Sequence, residues 1–151
     1  MQPESIKRVY HEELPLLQTQ ISTVVELYRS KGCRSVLLCG STKFPQYFEC
    51  ARRYLTLKKM IVLDTGGIYG HFQGIDMSSK LKKDLDKLHF EKIRLADSVL
   101  VLAPNGVIGI STSSELWYAV ALDKPTIIVR ATAVEVVAEC GENVKVITPF
   151  V

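Results

Sequence analysis

No apolar run in this 151-residue chain reaches the roughly eighteen residues that a helix needs to cross a bilayer. The opening residues also lack the charged-then-apolar pattern of a secretory leader. Cysteine is sparse. Cys33, Cys39, Cys50 and Cys140 show neither a CxxC pair nor zinc-ligand spacing, so no metal and no cofactor is expected, and a reduced, cytoplasmic setting is. Charge of one sign is scarce too. The formal net charge is +3, spread along the chain, which argues against a nucleic-acid partner while allowing a small anionic ligand. The densest basic group, Lys80, Lys82, Lys83 and Lys87, reads as the solvated face of a helix ahead of a phosphate patch. The GxxxxGK and GxGxxG phosphate-binding patterns are both absent, as are internal repeats and low-complexity segments.

What is present is a set of short, β-branched apolar runs: "SVLLCG" (35–40), "MIVLD" (60–64), "SVLVLAP" (98–104), "TIIV" (126–129) and "VKVIT" (144–148). Continuous runs of this length read as strands buried on both faces. Between them, "FPQYFECARRYLTLKK", "SSKLKKDLDKLHFEKIRLAD" and "SSELWYAVALDK" carry apolar residues at helical spacing. Cys39 lies inside an apolar run and reads as a buried small hydrophobe. Strand–helix alternation predicts a single α/β domain over 1–151, a flavodoxin-like, Rossmann-like three-layer sandwich. Its five-stranded, mainly parallel sheet is expected in the order 2-1-3-4-5. Residues 1–32 stand outside the alternation as a helical extension to a 33–151 core. In that extension "ELPLLQTQISTVVELYRSKG" reads as a helix stopped by Gly32, packing on the sheet or on a second subunit.

In an open parallel sheet, ligands bind beyond the carboxyl ends of the strands. The first strand delivers Gly40, Ser41, Thr42, Lys43 and Phe44 there, a helix start whose amides and hydroxyls suit an anion or form an ordinary capped turn. The second strand delivers Asp64 and the glycine-rich stretch 64–79, with Tyr69 and His71, either a disordered excursion or, the better reading, a loop over a site. The third delivers Asn105, Gly109, Ser111, Thr112, Ser113 and Glu115. Two hydroxyl-rich helix starts on one edge suggest a polyoxygenated anion such as a sugar phosphate. Thr112 and Glu115 have capping-box spacing, with Glu115 in the first helical turn, so the acid reads as a cap or as an ionised nucleophile. Asp97 precedes the third strand, lies at the opposite edge and reads as structural. None of His11, His71 and His89 has metal spacing to another.

The segment "LHFEKIRLADSVLVLAPNGVIGISTSSELWYAVALDKPTII" (88–128) resembles the nucleoside 2-deoxyribosyltransferase-like superfamily, which includes nucleoside 5′-monophosphate N-glycosidases. The likeness rests on Ala96-Asp97, Gly106, Gly109, Glu115, Tyr118-Ala119 and Lys124-Pro125 in order, with "LLCGSTKF" similar to the first strand and loop. The resemblance implies that Glu115 attacks an anomeric carbon, forming a glycosyl ester and releasing a base. Gly40 and Ser41 would then lie against a nucleoside or nucleotide, and Ser111 and Ser113 would hold sugar or phosphate oxygens. It also implies a homo-oligomer. The chain departs from the pattern at His89, eight residues before Asp97, where the family often has Asp; a histidine there can act as a general acid near neutral pH. Two other readings stand beside this one. The first is a non-catalytic nucleotide-binding module of the same fold. The second is a lysine-decarboxylase-like nucleotide phosphoribohydrolase, whose paired glycines "NGVIGISTSSE" lacks.

Overall fold

The computed structural model describes residues 4–67, 78–130, 134–138 and 145–147. The elements run α1 (Glu4–Ser30), β1 (Ser35–Gly40), α2 (Pro45–Leu57), β2 (Ile61–Leu63), α3 (Ser79–Leu95) and β3 (Ser98–Leu102). A single 3-10 turn (Pro104–Gly106) follows, then α4 (Ile110–Ala121), β4 (Thr126–Val129), β5 (Val134–Ala138) and β6 (Lys145–Ile147). Among the described residues no helix is long and apolar enough to cross a membrane.

The strands form one six-stranded sheet in the order β2-β1-β3-β4-β5-β6. β1, β2, β3 and β4 are mutually parallel. β5 pairs antiparallel with both β4 and β6, so β6 points the same way as β1 to β4. Five strands therefore run together, as the sequence predicts, and one further strand runs against them. That additional strand, "VEVVA", separates the fifth predicted strand from β4. Its signal is weak because Glu135 interrupts the apolar run, and the glutamate is matched by Arg130, whose Nε donates to Glu135 Oε2 at 2.8 Å.

Side-chain alternation along the strands builds two cores. Val36 and Leu38 of β1 join Leu100, Leu102, Ile127 and Val129 against α1 and α2. Leu37 and Cys39 join Val99, Val101 and Ile128 against Ile93 of α3 and Leu116 and Ala119 of α4. Helices thus cover both faces, consistent with a Rossmann-like fold. The chain crosses from β1 to β2 on one side and from β2 through β3 to β4 on the other, as right-handed crossovers require.

α1 belongs to this core. It starts at Glu4, earlier than the apolar pattern predicts, and buries Val9, Leu17, Ile21, Val24, Val25 and Tyr28 at three- and four-residue spacing. Each fully buried aliphatic side chain contributes about 1.5–3 kcal/mol. Gly32 ends the helix with a positive φ of 77°, and Cys33 N donates back to Tyr28 O at 2.9 Å. The buried Tyr28 hydroxyl donates to Val99 O of β3. Of the two placements the sequence left open, the helix packs on its own sheet, so its apolar face supplies no argument for a second subunit.

Candidate active site

β1 and β3 are neighbours whose onward connections leave in opposite directions, so their carboxyl ends frame the switch point of the sheet. Gly40 pairs with Leu102 there, and an added Cβ would stand 2.9 Å from the Leu102 carbonyl oxygen. Glycine at 40 is thus explained by the close approach of two strands, before any ligand is invoked.

Three side chains from three elements converge beside this edge. Cys39, on β1, points to the α3/α4 face. His89 rises from α3 and Glu115 from α4, and His89 Nε2 lies 3.0 Å from Glu115 Oε2. The same ring nitrogen is 3.3 Å from Cys39 Sγ. The thiol is fully buried, whereas the His89 and Glu115 side chains keep 12% and 17% of their exposure, so solvent reaches the carboxylate–imidazole pair. Burial pushes the Cys39 thiol well above its ordinary value, and the adjacent Glu115 carboxylate, which accepts its hydrogen bond, pushes further in the same direction. Cys39 is therefore a neutral thiol and a donor to Glu115, the opposite of an activated thiolate.

In the sequence Cys39 reads as a packing residue and local spacing does not reveal this trio, because Cys39 and His89 are 50 residues apart and meet only through the fold. The donor atoms of Cys39, His89 and Glu115 lie within 4.8 Å of one another.

The capping-box reading of Glu115 is corrected. α4 begins at Ile110 with Gly109 in extended backbone as its N-cap, and among the described residues no side-chain cap bond is made there. Thr112 is buried inside the first turn, and no acidic residue stands in that turn. Glu115 is the sixth residue of the helix, one turn further on, and its oxygen is held by His89 rather than by helix-start amides. Gly109 O accepts the first helical hydrogen bond, from Ser113 N at 2.9 Å, which makes Gly109 rather than Thr112 the N-cap position.

Ser41 and Thr42 are half-buried and Lys43 exposed on the loop after β1, where Ser41 Oγ accepts from Lys43 N at 3.3 Å. Phe44 packs edge-on to Tyr10, ring centroids 6.3 Å apart, and serves the α1/α2 interface. Asp64 is occupied: Oδ2 pairs with Arg52 Nη1 at 2.9 Å and Oδ1 accepts from Gly66 N at 2.7 Å. Ser111 is exposed and Ser113 half-buried on the first turns of α4. Tyr69 and His71 lie outside the described residues.

Asn105 is turned toward α1. Its backbone, at φ 60°, donates N–H to both Glu13 carboxylate oxygens at 3.0 and 2.9 Å, and its Oδ1 accepts from Arg8 Nη2 at 3.4 Å. Glu13 is 5% exposed and also accepts from the Tyr47 hydroxyl at 3.4 Å. Burial raises its pKa above the ordinary 4.5, partly offset by the Asn105 amide and Tyr47. Arg130 Nη1 donates to Gly106 O at 2.7 Å, so the turn entering α4 is pinned from two sides.

Asp97 sits at the opposite edge, as expected. Its Oδ2 accepts from Arg34 N and Ser35 N at 2.8 and 3.0 Å, and those bonds hold its pKa below the ordinary range. The lysine group on α3 is exposed, with Lys80 and Lys82 paired to Asp84 and Asp86 one turn on. Fold and geometry together describe an α/β domain, consistent with a Rossmann-like fold, with a carboxylate–imidazole pair beside the carboxyl end of its central strand. Compared with known protein families, curated proteins and solved structures, the chain matches none.

Proposed function

We propose that the protein cleaves or transfers the N-glycosidic bond of a nucleoside or nucleoside 5′-monophosphate, with Glu115 as nucleophile. The observation that carries this reading is the Glu115–His89 pair at 3.0 Å, partly open to solvent at the end of the sheet where ligands bind. A carboxylate held by an imidazole on one oxygen keeps the other for attack. As the C1′–N bond breaks, Glu115 forms an ester to C1′ and the departing base takes a proton, for which His89 is the group at hand. Water or a second base then takes the sugar and frees the carboxylate. The loop hydroxyls of Ser41, Ser111 and Ser113 suit sugar or phosphate oxygens. A nucleotide-binding module without turnover is the second reading, favoured by the engagement of Glu115 by both His89 and Cys39.

A reducing, cytoplasmic setting suits the thiols of Cys39 and Cys50, which form no disulfide among the described residues. A homo-oligomer is part of the proposal, supported by the exposure of Val107, Ile110 and Trp117 around α4. The test is a panel of nucleosides and their 5′-monophosphates incubated with the full chain, with free base measured by chromatography. Release or exchange from at least one class is expected. Binding without release from any of them would favour the binding module.

A further inference from the structure

We propose that Cys39, His89 and Glu115 form a site for a zinc-class divalent cation, and that the bound metal silences Glu115. The three donor atoms lie within 4.8 Å of one another, with Sγ to Nε2 at 3.3 Å and Nε2 to Oε2 at 3.0 Å. Zinc bonds of about 2.0 Å to nitrogen and oxygen and about 2.3 Å to sulfur space tetrahedral donors by about 3.3–3.6 Å. Both distances from His89 are therefore close to that spacing before any metal arrives, and the sulfur and the carboxylate oxygen, within 4.8 Å of each other, need only close on a shared ion.

Each donor is held by a different packed element: Cys39 by the central strand β1, His89 by α3, Glu115 by α4. A set of one sulfur, one nitrogen and one oxygen selects a borderline-soft ion; magnesium and calcium take oxygen ligands. Three protein ligands leave one position for water, the pattern of open zinc sites. Metal binding is balanced by loss of one proton. The Cys39 thiol releases its proton to solvent as sulfur bonds the metal, and His89 binds through Nε2 with its proton on Nδ1.

The binding half of the proposal stands on the geometry of the trio alone. The silencing half rests on Glu115 being the nucleophile, because a carboxylate bonded to the metal cannot attack carbon.

The experiment is a Co²⁺ titration of the metal-free full chain, read by absorption. Wild type is expected to develop the near-ultraviolet thiolate-to-cobalt band with the visible bands of tetrahedral cobalt, and Zn²⁺ is expected to erase both. Cys39→Ser removes the thiolate band. His89→Gln and Glu115→Gln weaken affinity by at least the 10- to 100-fold that follows loss of a residue merely orienting a ligand. Circular dichroism melts check that each variant is folded, and Zn²⁺ raises the melting temperature of wild type more than that of any variant. A saturating titration with no thiolate band overturns the site, as does equal affinity in folded Cys39→Ser and His89→Gln. Zn²⁺-insensitive base release overturns the silencing alone. A thiolate band in a protein that releases no base leaves the site standing and removes the glycosidase reading.

Discussion

His89 Nε2 lies 3.0 Å from Glu115 Oε2, joining a residue of α3 to one of α4 across the end of the central strand. The pair matters because both partners keep part of their exposure while their third neighbour, Cys39, is sealed beneath them. The sealed thiol supplies a hydrogen bond and no competing charge. In the metal-free site the groups that solvent reaches are therefore a carboxylate and an imidazole.

If His89 supplies the proton to the leaving base, His89→Gln keeps a donor of similar size and loses the titratable proton. Turnover is expected to fall about 10²- to 10⁴-fold, the usual worth of general acid catalysis, with KM nearly unchanged. Steady-state kinetics across a pH series checks it. An unchanged pH profile in the variant would remove His89 from proton transfer.

Glu13 makes stability pH-dependent. Its folded pKa is raised by burial, so the native state binds more protons than the unfolded chain between 4.5 and the raised value. The contribution of Glu13 to stability is therefore greatest below that window and declines as pH climbs through it. Glu13→Gln removes this titration. Thermal melts at about pH 4.5 and about pH 7.5 should show the variant gaining on wild type at the higher pH.

Asp97 acts in the opposite sense. Its folded pKa is lowered by the Arg34 and Ser35 amides, so its contribution is present above the ordinary 3.8 and fades as pH falls through the lowered value. Asp97→Asn is expected to cost about 1 kcal/mol at neutral pH, the usual worth of a charged hydrogen bond discounted for solvent exposure. The deficit should shrink in acid, as denaturant titrations would show.

Leu17 tests whether α1 is core. It is fully buried against the sheet, so Leu17→Ala should destabilise by about 2–5 kcal/mol. Sedimentation should find the subunit count unchanged, because that face is covered within the chain.

The central strands were legible because β1, β3 and β4 are continuous apolar runs, and strand order placed the Ser41 and Ser111 loops on one edge with Asp97 on the other. β5 was not, since Glu135 breaks the apolar run on which the reading relied. The start of α4 misled for a similar reason. Thr112 and Glu115 have cap spacing, but the helix starts earlier, at Ile110 behind an N-cap Gly109 that has no side chain to mark it. Cys39 could not be found by spacing at all. A hydrophobic strand position and a ligand position look alike until α3 and α4 are folded over it.

Base release by wild type and by Glu115→Gln, each assayed on nucleosides and nucleoside 5′-monophosphates, tests the central claim most directly. Wild type is expected to release base and to carry a transient sugar adduct on the peptide containing Glu115, visible by mass spectrometry. The variant is expected to bind the same ligand, form no adduct and lose turnover by at least about 10³-fold. Undiminished base release by the folded variant would contradict the account.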